Sequence, residues 1–273
     1  MPKRLVVALV VLICTSFFLR EFDRRLLMVN QLDRLIAYGG YTIGPFDLNY
    51  ASRIKRIQKE LSLVSYGSRY QRLDWIEYHS NQLRGQLYLD GAFQFDSDSE
   101  GLYHESYIQG LRIALNSRPQ KILIMGGGDA LLSARILEHF RKSKISPAPK
   151  IDLVEIDPMV LESARKLWGK LEAGSLRKIQ VSIQDAFHFI RDASDQWDMI
   201  LLDFPDPRTI DLAKLFTQEF YMMVKKRLTK NGIVIFDFPS EVEREIIVAT
   251  VKAAGFDRYM LYGKNQLFVY LEQ

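Results

Sequence analysis

The chain has 273 residues, of which 48% are hydrophobic and 26% charged, a composition that excludes a disordered polymer and fits one large domain, or one domain with a smaller companion. Its formal net charge is +4, yet residues 1–60 carry 10 basic against 5 acidic side chains and the remainder 27 against 28, so the larger part lacks the cationic surplus that holds a nucleic acid. The single cysteine, Cys14, excludes an intramolecular disulfide, and four scattered histidines (His79, His104, His139, His188) argue against a metal site.

The chain opens on MPKRLVVALVVLICTSFFLR, with Lys3 and Arg4 ahead of fifteen uncharged residues, Leu5 to Leu19. As a helix this stretch spans ~22 Å, short of a ~30 Å hydrocarbon core, and snorkelling of Lys3, Arg4 and Arg20 makes up part of the difference. We read residues 1–25 as an N-terminal membrane anchor. A cleaved signal and a buried helix are the alternatives, although no small-x-small cleavage site follows, and bulky Ile13 disfavours lipid attachment at Cys14. Lys3, Arg4 and the terminal amine lie upstream against Arg20, Arg24, Arg25 and Arg34 downstream, a small excess that favours the cytoplasmic side for the rest of the chain.

Residues 26–60 read as an amphipathic helical connector, punctuated by YGGYTIGP at 38–45. From 61 to 100 the runs LSLVSY, QRLDWIEY, QLRGQLYLD and AFQF, divided by polar or glycine breaks, predict a small antiparallel β-domain. Because these runs begin near Leu61, a chain starting near Asp47 is expected to fold. A helix is expected near 102–116.

Beyond it the alternation becomes regular. Strands at 121–125, 151–155, 179–183, 197–202 and 232–237 precede helices at 129–140, 158–168, 186–192, 217–228 and 241–254. Strands 257–262 and 266–271 close the chain as a hairpin around GKN. Runs such as ILIM, MILL and IVIF do not alternate, as expected of parallel strands buried on both faces. Residues 101–273 therefore predict an α/β domain, a doubly wound, mostly parallel Rossmann-like (methyltransferase-like) sheet. RKSKISPAPK (141–150) is a solvated loop.

In such sheets ligands sit at the carboxyl ends of the strands. Here the first strand ends in Gly126, Gly127, Gly128 and Asp129, the second at Glu155, the third at Asp185 and Ala186, and the fourth in DFPDP with Asp203 and Asp206. Taken singly, each has a structural explanation: a glycine turn, or helix caps at Asp129 and Asp157. Four acidic strand ends in succession point instead to one crevice. A phosphate would be repelled by Asp129. Glu155 suits two ribose hydroxyls, and Asp185 suits an exocyclic adenine amine with small Ala186 beneath the ring. The pattern points to an adenosine compound with no phosphate requirement, and S-adenosyl compounds fit.

The stretches YHESYIQGLRIAL (103–115), ILIMGGGDALL, LVEIDPMVLESARK, QDAFHFI, WDMILLDFPDP and LFTQEFY (215–221) resemble, in order and spacing, the spermidine synthase family of polyamine aminopropyltransferases. SRYQRLDWIEY and LYLDGAFQFDSDSEGLYHE resemble its N-terminal β-domain, and DFPDP with the hydrophobic N-terminus resembles membrane-associated members. The resemblance implies transfer of an aminopropyl group from decarboxylated S-adenosylmethionine to a polyamine acceptor such as putrescine, releasing methylthioadenosine, with no cofactor or metal. It implies Asp203 as general base, Tyr103 and Asp206 on the acceptor, and Gln71, His104, Asp129, Glu155, Asp185 and Ala186 on the donor, beside the glycine turn. It also implies a homodimer. Ala130 stands where the family has glycine, a small departure. The family's Tyr-Pro-Ser-Gly stretch before the last strands is absent, so part of the acceptor pocket is missing or built differently. Two other readings accommodate the same strand ends: an S-adenosylmethionine-dependent methyltransferase, and a non-catalytic, membrane-tethered nucleoside-binding protein.

Overall fold

The computed structural model describes residues 31–32, 34–40, 49–79, 84–96, 104, 107–108, 110–111, 119–128, 130–167, 179–205, 207, 209–237, 241–256, 258–262 and 266–270. The expected anchor over 1–25 lies outside the described residues. Among the described residues, no helix is long and apolar enough to cross a membrane. The chain divides into two units, one containing Gln71–Asp98 with the chain up to Gly67, the other Ser68–Tyr70 with the chain from Ser99.

In the first unit, helix α1 (Tyr50–Glu60) leads into strands β1 (Leu61–Gly67), β2 (Arg72–Tyr78), β3 (Arg84–Leu89) and β4 (Ala92–Asp96), an antiparallel sheet in the order β1-β2-β3-β4. Leu61, Ile76 and Tyr88 from the strands share one core with Ile57 of α1 and Leu35 of the helical residues 34–38. Tyr38 stacks on Tyr88 with ring centroids 3.9 Å apart. Its hydroxyl donates to Asp74 Oδ2 at 3.0 Å, alongside Arg72 Nε at 2.9 Å, while Ser65 Oγ donates to Oδ1 at 2.6 Å. Asp74 has no exposed surface. Burial alone would raise its pKa, but these hydrogen bonds and the Arg34 charge hold the carboxyl below its ordinary value. The stretch expected to be a connector thus supplies core residues and two partners of a buried carboxylate. A chain starting near Asp47 would lack Arg34, Leu35 and Tyr38, and with them part of this core and two partners of Asp74.

The second unit contains strands β5 (Lys121–Gly126), β6 (Lys150–Glu155), β7 (Ile179–Ile183), β8 (Trp197–Asp203), β9 (Leu228–Asp237), β10 (Arg258–Tyr262) and β11 (Gln266–Tyr270). They form one sheet in the order β10-β11-β9-β8-β5-β6-β7. The central pairings are parallel, and β11 runs antiparallel to both β9 and β10. The helices are α2 (Leu131–Lys142), α3 (Pro158–Leu167), α4 (Ala186–Asp192), α5 (Ile210–Ala213), α6 (Gln218–Lys226) and α7 (Glu241–Ala253).

Strand alternation divides the core into two layers. Leu123, Met125, Ile200, Leu202, Val234 and Phe236 pack with Ile190 of α4, Phe220 and Val224 of α6 and Ile247 and Val251 of α7. Ile122, Ile124, Leu153, Met199, Leu201 and Ile235 pack on the other face with Leu132, Ile136 and Phe140 of α2 and with Tyr107 and Leu111. Helices on both faces of a mainly parallel sheet make the doubly wound arrangement expected for 101–273.

Candidate active site

The register places the expected crevice. Because β5 lies between β6 and β8, Gly126 is level with Asp203 and Met125 with Val154, the residue before Glu155. The turn after β5 closes with the Ala130 N–H donating to Gly127 O at 2.9 Å. Gly126 and Gly127 have φ of +83° and +62°, the left-handed region that glycine enters without penalty. Space restricts the turn further. A Cβ on Gly127 would lie 2.8 Å from Asp203 Oδ2, and one on Gly128 would overlap the Glu155 carboxylate. The backbone therefore passes between two carboxylates, and a side chain on either glycine would displace one of them. Ala130 follows at φ +59°, where a Cβ costs roughly 1–2 kcal/mol. The departure from the family's glycine is thus a strained position, a larger change than its size suggests.

Glu155 is 8% exposed and accepts the Asp157 N–H on Oε1 at 2.8 Å. Burial pushes its pKa up to about 7, against the backbone N–H groups of Asp157, Ile156 and Gly128, which favour the charged form. Asp157 itself is fully buried, takes the Met159 N–H at 2.9 Å at the start of α3, and accepts from Ser68 Oγ at 2.7 Å. The helix-cap role allowed by the sequence is the one its carboxylate performs.

Asp185 has two tasks. Its Oδ1 caps α4 by accepting the N–H groups of Phe187 (2.9 Å) and His188 (3.2 Å), and its Oδ2 meets Lys214 Nζ at 2.7 Å. Burial opposes its ionisation, but Lys214 and the two N–H groups outweigh that and hold its pKa below the ordinary value. Ala186 is buried as the first residue of α4. Asp203 ends β8, where Tyr107 donates its hydroxyl to the neighbouring Leu202 O at 3.2 Å. His104 is buried and helical. Gln71 precedes β2 in the first unit. Tyr103, Asp129 and Asp206 lie outside the described residues.

The structure thus brings Gly126–Gly128, Glu155 and Asp203 together and sets Asp185 at the tip of the next strand. Lys214 was not picked out by sequence reasoning. Its signal was a lone cation within LAKLF, directly ahead of a motif already recognised.

Known proteins are similar to this chain in sequence and in fold. The family model described as spermine/spermidine synthase domain matches residues 100–255. A polyamine aminopropyltransferase of Oceanobacillus iheyensis is 36% identical over 161 residues, 58% of this chain and 30% of that protein. Polyamine aminopropyltransferase 2 of Aquifex aeolicus is 35% identical over 183 residues, 64% of this chain and 36% of its own length. The chain thus spans about a third of the length of these relatives. Among solved structures, the spermidine synthase of Thermotoga maritima superimposes with a TM-score of 0.60 at 22% identity, covering 76% of this chain and 71% of that one, a likeness of fold. With more than half of its residues matched, including the glycine turn and all the acidic strand ends, the chain belongs to the spermine/spermidine synthase family.

Proposed function

We propose that the chain is a polyamine aminopropyltransferase that moves the aminopropyl group of decarboxylated S-adenosylmethionine to an amine such as putrescine and releases methylthioadenosine. The observation that carries this reading is the glycine turn held between two carboxylates, Asp203 against Gly127 and Glu155 against Gly128. One lies where an incoming amine can be deprotonated, the other where a ribose diol can be held.

The sulfonium already activates the carbon to be attacked, so the enzyme's task is alignment and proton removal, and the transfer needs no cofactor. Polyamine nitrogens, like the lysine amine at ~10.4, arrive protonated. Asp203 attracts the ammonium and takes its proton. The freed amine forms the new N–C bond while the C–S bond breaks, and its electron pair returns to sulfur as methylthioadenosine leaves. Tyr103 and Asp206 hold the rest of the acceptor. Glu155 accepts the ribose hydroxyls in its charged form, Asp185 and Ala186 receive the adenine, and His104 completes the donor site. Asp129 attracts the terminal ammonium of the decarboxylated donor and disfavours the carboxylate of S-adenosylmethionine.

The same reading assigns residues 1–25 to a membrane anchor, 26–60 and 61–100 to the N-terminal part, and 101–273 to a catalytic domain on the cytoplasmic side, acting as a homodimer. Full-length protein is then expected to sediment with membranes, and recovery in the soluble fraction refutes the anchor.

Incubating the full chain with putrescine and either nucleoside tests the chemistry. Methylthioadenosine from the decarboxylated donor supports the proposal. S-adenosylhomocysteine from S-adenosylmethionine would make it a methyltransferase, and no product from either a binding protein.

A further inference from the structure

We infer that Lys214 reads the base of the donor nucleoside: with Asp185 it presents a hydrogen-bond donor beside an acceptor, a pattern that a 6-aminopurine matches and a 6-oxopurine does not. The inference rests on the aminopropyltransferase reading above and adds a specificity-determining residue to it.

The strand order sets the direction of the ligand. β5, β6 and β7 are neighbours, about 4.8 Å apart, so the glycine turn, Glu155 and Asp185 form a row along the sheet edge. A nucleoside with its sulfur at the turn and its ribose at Glu155 brings its base to Asp185. There the hydrogen bonds are partly assigned. Oδ1 takes two backbone N–H groups, which fill its lone pairs. Oδ2 takes one N–H of Lys214 and keeps a second lone pair. The ammonium, with three N–H groups, uses one of them on Oδ2.

Lys214 is not a loose surface side chain. It begins the 3-10 turn Lys214–Phe216, its carbonyl accepts the Thr217 hydroxyl at 2.9 Å, and the next residue, Leu215, is buried. The side chains of Lys214 and Asp185 remain 31% and 21% exposed, so a ligand can reach both. The exocyclic amine of a 6-aminopurine donates to Oδ2 while a ring nitrogen beside it accepts from the ammonium. With a 6-oxopurine, a carbonyl oxygen faces the carboxylate instead, and in the same pose a ring N–H faces the ammonium.

Calorimetric titration of the full-length protein with methylthioadenosine and with its 6-oxo counterpart, methylthioinosine, tests this. Lys214→Met is expected to weaken methylthioadenosine binding about tenfold, the scale of a charge-assisted hydrogen bond, and to leave methylthioinosine within about twofold. Lys214→Arg, which keeps the charge and a donor, should hold the preference within about threefold of wild type. Lys214→Ala serves in place of the methionine variant if a thermal melt shows the latter unfolded. Equal weakening of both ligands, or an unchanged ratio, makes the pair a packing contact and overturns the inference alone. Wild-type protein that binds neither nucleoside overturns the functional reading and this inference with it.

Discussion

Replacing Glu155 by glutamine should stabilise the ligand-free protein while weakening its donor site. Burial raises the Glu155 pKa from an ordinary 4.5 to about 7. Between those values the folded state holds a proton that the unfolded state has released. Stability therefore falls as pH rises through this window and is fully present only below about pH 4.5. At about 1.4 kcal/mol per unit, the loss reaches roughly 3 kcal/mol by pH 8. Among the described residues, the carboxylates with lowered pKa values, Asp74, Glu138, Asp185, Asp192 and Asp195, change stability in the opposite sense below about pH 4. Glutamine keeps the shape and can still accept the Asp157 N–H, so at pH 8 the variant should melt roughly 5–10 °C higher than wild type, and at pH 5 at nearly the same temperature. The gain has a functional cost. A charged carboxylate holding two hydroxyls contributes about 1.5–3 kcal/mol per bond, so Glu155→Gln should bind methylthioadenosine at least tenfold more weakly at pH 8. Wild-type affinity should rise with pH and level off above about 7, and the variant's should not. Paired melts and titrations at pH 5 and pH 8 decide the matter. A wild-type protein whose stability is flat across this range, or a glutamine variant no more stable at pH 8, refutes the claim that burial keeps Glu155 neutral.

Asp203→Asn should retain donor binding while turnover falls about 10²–10⁴-fold, the scale of a general base; near-normal rates would remove the residue from that role. Asp129→Ala should narrow the preference for decarboxylated over intact S-adenosylmethionine by about 10- to 100-fold, read from calorimetry with both nucleosides, and an unchanged ratio would leave it a helix cap. Tyr38→Phe removes one of the donors to the buried Asp74 carboxylate and should cost about 1–3 kcal/mol in urea unfolding. An unaffected midpoint would mean that the Tyr38 hydroxyl adds nothing to the buried carboxylate.

What the sequence determined by itself was local in origin. Unbroken apolar runs such as ILIM and MILL identified buried parallel strands, and the residues ending each run identified the ligand edge, because strand direction and burial follow from pattern alone. Family motifs added the proposed roles. The tertiary structure decided whatever depends on which distant segments meet. The last strand, β11, sits between β9 and β10, although the sequence showed only a hairpin. Helical segment 34–38 packs on the β-sheet, with Leu35 in its core and the Tyr38 hydroxyl on Asp74, 36 residues further on, where a buried carboxylate needs its oxygens paired. Lys214 reaches Asp185 across 29 residues, a contact made when the segment after β8 folds over the tip of β7. The glycines read as a thin turn from sequence; only the packed sheet gives the reason, since Asp203 and Glu155 occupy the space where their side chains would stand. Local preferences are written along the chain, whereas the closeness of two carboxylates to one turn exists only once three strands have aligned their ends.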